Sequence, residues 1–123
     1  MSRRKKTPFA PWESNTSNGL EDRFIRIGET QLMSAAMKRL GDKANRLFVY
    51  MKLEARGKRE FAMPYTKIMK VMPISRPTIK TTIEELERAG FIDILERNGN
   101  VRKPNLYAFS TRWREMEKSV KVQ

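Results

Sequence analysis

Between Pro73 and Gly90 the chain has room for one helix and little else. The residue before a proline avoids the helical region, so Pro73 closes any helix that precedes it. Ser75 is a strong N-cap candidate, and Pro77 falls in the first turn, where its missing N–H is no loss. Ile79, Ile83 and Leu86 then recur at helical spacing and make one buried stripe. Gly90 ends the helix. The run Phe91–Glu96 follows at once and alternates Phe91, Asp93 and Leu95 against Ile92, Ile94 and Glu96, as a strand does.

The face opposite the stripe carries Pro77, Thr81, Glu84, Glu85 and Arg88, with Thr78 and Lys80 at its flanks and Arg76 at the N-terminal end. Its first half is hydroxyl and cationic, and its second half is mainly acidic. The helix dipole favours the reverse order. An ordinary amphipathic surface helix therefore explains the division poorly. A helix that inserts its N-terminal half into a DNA groove explains it better: donors and small hydroxyls meet the DNA, and acids stay away from phosphate.

The flanking segments read as follows. Residues 1–19 are basic, aperiodic and rich in Ser, Asn and Pro, which predicts a flexible arm ahead of one domain over 20–123. Phe9 and Trp12 stand in that arm, either docked on the domain or in contact with a partner. Phe24–Ile27 is a short strand or an extended lead-in. Glu29–Leu40 is expected to be one helix, with Leu32, Met33, Ala36, Met37 and Leu40 on its inner face, broken by Gly41. Asp42 stands at an N-cap position, and the next helix runs to about Arg56 with Ala44, Leu47, Phe48, Met51 and Ala55 in line and Gly57 just past the end. Glu60–Met63 is an edge strand, and Tyr65–Met72 a two-turn helix. Asn98-Gly99 signals a hairpin whose return strand is Asn105–Ser110. A last helix can start at Ser110, with Trp113 and Met116 facing inward.

Lys and Arg number 26 against 14 Asp and Glu, a formal net charge of +12. Such an excess attracts polyanions, nucleic acid first and anionic membrane second. With no cysteine and no histidine there is no disulfide framework, none of the usual zinc ligation, and no Ser-His or Cys-His catalysis. Nothing resembles a phosphate-binding glycine loop. The acidic residues sit beside basic ones on predicted helix faces, so an enzyme is not expected, nor a cofactor or small-molecule ligand. No apolar run approaches the roughly 18 residues that span a bilayer, and no apolar segment follows the basic start. A cytoplasmic protein with no membrane partner is expected.

The order helix, helix, short strand, helix, turn, helix, two-stranded hairpin, helix resembles a winged helix-turn-helix domain, mainly α with a small β-hairpin wing (an α+β fold). The likeness is carried by Tyr65 to Ser110, and within it by the spacing of Ser75, Thr78, Ile79, Ile83, Leu86, Gly90, Phe91 and Ile92. The neighbouring segments are similar to winged-helix regulatory and replication proteins of bacterial mobile elements. One departure is the turn itself, which has Pro73 where such domains often have glycine; the motif is expected to survive with an altered interhelical angle.

The resemblance implies double-stranded DNA as partner, with the second helix in the major groove and the wing over adjacent backbone or minor groove. Carried onto this chain, Ser75, Arg76, Thr78, Lys80 and Thr81 become the groove-facing set, with Arg76 placed to recognise guanine. Arg97, Arg102 and Lys103 become wing contacts, and Thr66 and Lys67 reach phosphate. A bacterial transcriptional regulator is the leading expectation. Alternatives are a replication-initiation or partition protein of a plasmid or phage, and a winged helix used for protein contacts. Leu32, Met33, Met37, Phe48, Met51, Trp113 and Met116 exceed what one small core obviously needs, so a homodimer is also expected.

Overall fold

The computed structural model describes residues 24–98 and 103–115. The arm with Phe9 and Trp12, the wing-tip residue Arg102, and Met116 lie outside the described residues. The described elements are α1 (Glu29–Leu32), α2 (Ala35–Arg39), α3 (Asp42–Ala55), β1 (Glu60–Ala62), α4 (Tyr65–Val71), α5 (Arg76–Arg88), β2 (Ile92–Glu96) and β3 (Leu106–Phe109). The strands form an antiparallel sheet in the order β1-β3-β2. Three helices, with a strand between the first and second and a hairpin after the third, make α3 to β3 a winged helix-turn-helix.

The Ile79, Ile83 and Leu86 stripe of α5 is buried, and it meets Leu47, Phe48 and Met51 of α3 in one core. Phe48 and Phe91 approach to 5.5 Å between ring centroids, and Phe91 stacks on Trp113 at 6.1 Å. Met37, Phe48, Met51 and Trp113, counted above as surplus apolar residues, all fill this chain's own core. Leu32 and Met33 are left at the surface, 53% and 58% exposed.

Gly90 is the joint of the fold. Its φ of 87° is left-handed. Gly90 N donates to Glu87 O and Phe91 N to Leu86 O, each at 3.0 Å, which closes α5 with a Schellman motif. A Cβ on Gly90 would lie 2.6 Å from Trp113 N and 2.8 Å from Arg112 C, so the position needs glycine twice over. The C-terminal segment is tied to this joint. Trp113 N donates to Gly90 O, Ser110 N donates to Phe91 O, and Arg112 donates to Glu87 O, Ile92 O and the Asp93 carboxylate.

Several expectations need correcting. Glu29–Leu40 is not one helix. Ser34 accepts from Met37 N at 3.1 Å and donates to Gln31 O at 2.7 Å, so its hydroxyl ends α1 and caps α2. Such local side-chain bonds compete with the helical ladder. Asp42 is the first residue of α3, and the N-cap is Gly41. Gly41 N donates to Glu85 Oε2 at 2.8 Å, so α5 supplies the carboxylate that the N-terminus of α3 attracts. Phe24–Ile27 pairs with no strand among the described residues and leads into α1 as a segment without regular structure. β2 begins at Ile92, and its register shifts between Ile94 and Glu96, which leaves Leu95 as a bulged, exposed residue at the entry to the wing. β2 ends at Glu96 and the return strand β3 begins at Leu106, and the Asn98-Gly99 signal falls partly outside the described residues. A helical turn does begin after Ser110, at Trp113.

Candidate nucleic-acid interface

The N-terminus of α5 is built by Ser75. Its Oγ accepts from Thr78 N at 3.4 Å and lies 3.0 Å from Thr78 Oγ1. Ser75 and Thr78 thus spend part of their hydrogen-bonding capacity on each other, and Thr78 is half-buried. Thr81 Oγ1 donates to Pro77 O at 2.7 Å, which leaves its lone pairs outward as an acceptor. Thr82 is buried and donates to Thr78 O in the same way. Arg76 and Lys80 are exposed, with no carboxylate within ion-pair distance among the described residues.

Two of the three acids of α5 have partners inside the domain. Glu85 caps α3, and Glu87 lies 3.6 Å from Arg97 across the base of the wing. The base-early, acid-late order that the dipole disfavours is therefore held partly by contacts elsewhere in the fold.

The remaining site residues fall into two groups. Arg97 keeps more than half its side chain exposed despite Glu87. Its charge reaches the Tyr65 hydroxyl, as do those of Arg76 and Glu84. Burial pushes the Tyr65 phenol up and Glu84 adds to the rise, while Arg97 and Arg76 pull it back. The Tyr65 hydroxyl at the start of α4 thus feels charges from α5 and from the base of the wing. Lys103 and Thr66 are exposed. Lys67 is turned to Glu54 of α3, at 2.7 and 2.9 Å from its two carboxylate oxygens.

Three features were not read from the sequence. Asn98 and Asn105 clamp the wing: Asn98 N donates to Asn105 Oδ1 at 2.7 Å, and Asn98 Nδ2 to Pro104 O at 2.9 Å. Asn105 Nδ2 also donates to the Tyr107 hydroxyl at 3.2 Å. Burial pushes the Tyr107 phenol up to about 12, so it stays neutral at this junction. A pair of asparagines flanking a basic loop was the available signal. Lys43, in the first turn of α3, shares a shallow cleft with Thr78 and Thr81. At the far end of the sheet, Arg26, Lys52, Arg56, Lys58 and Arg59 line a single cavity.

No helix among the described residues is long and apolar enough to cross a membrane. No protein-family model matches the chain, and no curated protein does. Among solved structures, the chain is similar to the structure of the transcriptional regulator homologue protein from Pyrococcus horikoshii OT3, at 17% identity and a TM-score of 0.38, over 71% of this chain and 87% of that one.

Proposed function

We propose that the protein binds double-stranded DNA through α5 and the wing, and acts in the cytoplasm as a bacterial transcriptional regulator. One observation carries this reading: among the described residues, Arg76 and Lys80 stand without an ion pair at the N-terminal end of α5, while Glu85 and Glu87 of the same helix are directed to α3 and the wing base. Arg76 presents a planar fork suited to the O6 and N7 edge of guanine. Lys80, Thr81 and the Ser75–Thr78 pair offer donors and acceptors beside it. Arg97, Lys103 and Arg102 supply wing contacts to phosphate, and Thr66 and Lys67 lie on α4 for the same role. Phosphate contacts set affinity and register, and the α5 set selects sequence.

The test is selection of bound fragments from random and genomic duplex DNA by the full chain, followed by titration of the selected duplex across salt. Several phosphate contacts predict a steep loss of affinity with salt, with a slope of about −0.9 per contact on logarithmic axes. A flat response, or no duplex binding at low salt, rejects the reading in favour of a winged helix used for protein contacts. A motif beside the protein's own gene supports a regulator, and tandem repeats near an origin support the replication role instead.

A further inference from the structure

The sheet has two ends. The wing leaves from one, where Ala62, Leu106 and Glu96 lie side by side. At the other, Arg59 and Phe109 meet: Phe109 N donates to Arg59 O at 3.0 Å, and Arg59 Nε donates back to Phe109 O at 3.2 Å. A cavity of about 670 Å³ opens there, lined by Arg26, Lys52, Arg56, Lys58, Arg59 and Phe109 among others. No carboxylate lines it among the described residues.

Three details set this apart from a solvated basic surface. Lys52 lies half-buried with its ammonium 4.5 Å from the Phe109 ring centroid and 5.6 Å from that of Phe48. It therefore holds its charge against aromatic faces instead of a carboxylate, and burial lowers its pKa. Arg56 is the one non-glycine residue at positive φ among the described residues, at 52°. An L-residue held left-handed is strained, and here the strain falls on a residue that lines the cavity. Arg59 spends only its Nε on Phe109, which leaves both Nη groups for a ligand.

We infer that this cavity is a binding site for a small ligand that carries at least two phosphate-type negative charges. Three guanidinium forks suit phosphate oxygens, which accept paired N–H bonds. The five cations exceed what a single carboxylate would neutralise. The size suits a pyrophosphate-bearing molecule with a further group against Phe109 and Phe24. The site is separate from the α5 face, so it does not rest on the DNA reading.

Calorimetric titration of the full chain tests it, with inorganic pyrophosphate and with magnesium-free ATP at matched ionic strength. One ligand per chain is expected. The exposed pair Arg26→Gln and Lys58→Gln should weaken binding at least about tenfold, near 1.4 kcal/mol. Arg76→Ala with Lys80→Ala on α5 should leave it within about twofold. Equal affinity for the two probes assigns recognition to phosphate alone; tighter ATP binding assigns part of it to the ring. Three results overturn the inference: no binding of either probe at millimolar concentration, equal weakening by both variant pairs, or loss of duplex DNA binding in the cavity pair as large as in the α5 pair. The second result means a diffuse basic field, and the third a second DNA contact.

Discussion

The two ends of the sheet carry similar charge and use it differently. On the helix-turn-helix and wing side, Lys67 of α4 is held by Glu54 of α3 and Arg97 stands 3.6 Å from Glu87, so only part of that cation count is open to a partner. At the Phe109 end, five cations line one cavity with no carboxylate among the described lining residues. A formal charge of +12 does not distinguish these cases. What distinguishes them is pairing. A cation with a carboxylate at 2.7 Å must lose that partner to gain a phosphate, whereas Arg76, or Arg26 at the cavity, has no such partner among the described residues.

The joint between the two ends gives the largest expected effect. Gly90 ends α5 and touches the segment that carries Trp113. Gly90→Ala forces a left-handed L-residue and a backbone clash at 2.6 Å. It should destabilise the domain by more than about 2 kcal/mol, read from urea unfolding. A loss below about 0.5 kcal/mol would mean that the C-terminal segment gives way freely.

At the wing end, Arg76→Ala should relax base preference by roughly 1–3 kcal/mol at one position of the selected motif. Lys103→Ala should leave the motif unchanged and weaken every sequence, lowering the salt slope by about 1. Arg102→Ala is expected to behave like Lys103→Ala. Repeating the selection with each variant checks the division. An unchanged motif in Arg76→Ala places base readout elsewhere on α5, with Lys80 and Thr81 as the next residues to substitute.

What the sequence made legible follows from what was local. The α5 stripe, its Ser75 cap and the Gly90 stop were readable because each depends on residues within a turn or two of one another. Glu29–Leu40 misled because its apolar spacing is helical throughout, while the break comes from one hydroxyl, that of Ser34. Asp42 looked like the cap of α3 because the carboxylate that serves that end belongs to Glu85, far along the chain. The same kind of distance hid the Lys67–Glu54 pair. The cavity was invisible for a stronger reason: Arg26, Lys52, Arg59 and Phe109 come from four separate segments and meet only in the folded chain.

Hidden pairing can be tested directly. Glu54→Gln frees Lys67 without changing the shape of either side chain much. If Lys67 reaches phosphate, duplex affinity should rise by about 0.2–1 kcal/mol at low salt, with a slightly steeper salt slope. Lys67→Ala alone should change DNA affinity less than Lys103→Ala does. An unchanged affinity in Glu54→Gln would place Lys67 off the phosphate path and leave Thr66 as the α4 contact.

The smallest effect concerns self-association. Four of the seven apolar residues that suggested a dimer are buried in the chain's own core, and Met116 lies outside the described residues. Leu32 and Met33 remain, adjacent and more than half exposed at the break between α1 and α2. Burying a side chain of this size fully is worth about 1.5–3 kcal/mol, and each is already partly covered. Two such residues per protomer must also offset the entropy of association, so a dimer resting on them is weak and reversible. Sedimentation equilibrium without DNA should show a mass rising from 14.5 kDa toward twice that value only at high protein concentration. Leu32→Glu with Met33→Glu should hold it at 14.5 kDa throughout. A mass that stays at 14.5 kDa in the unsubstituted chain rejects the free dimer. Selected motifs with half-sites about 34 Å apart would then place any pairing of α5 helices on the DNA itself.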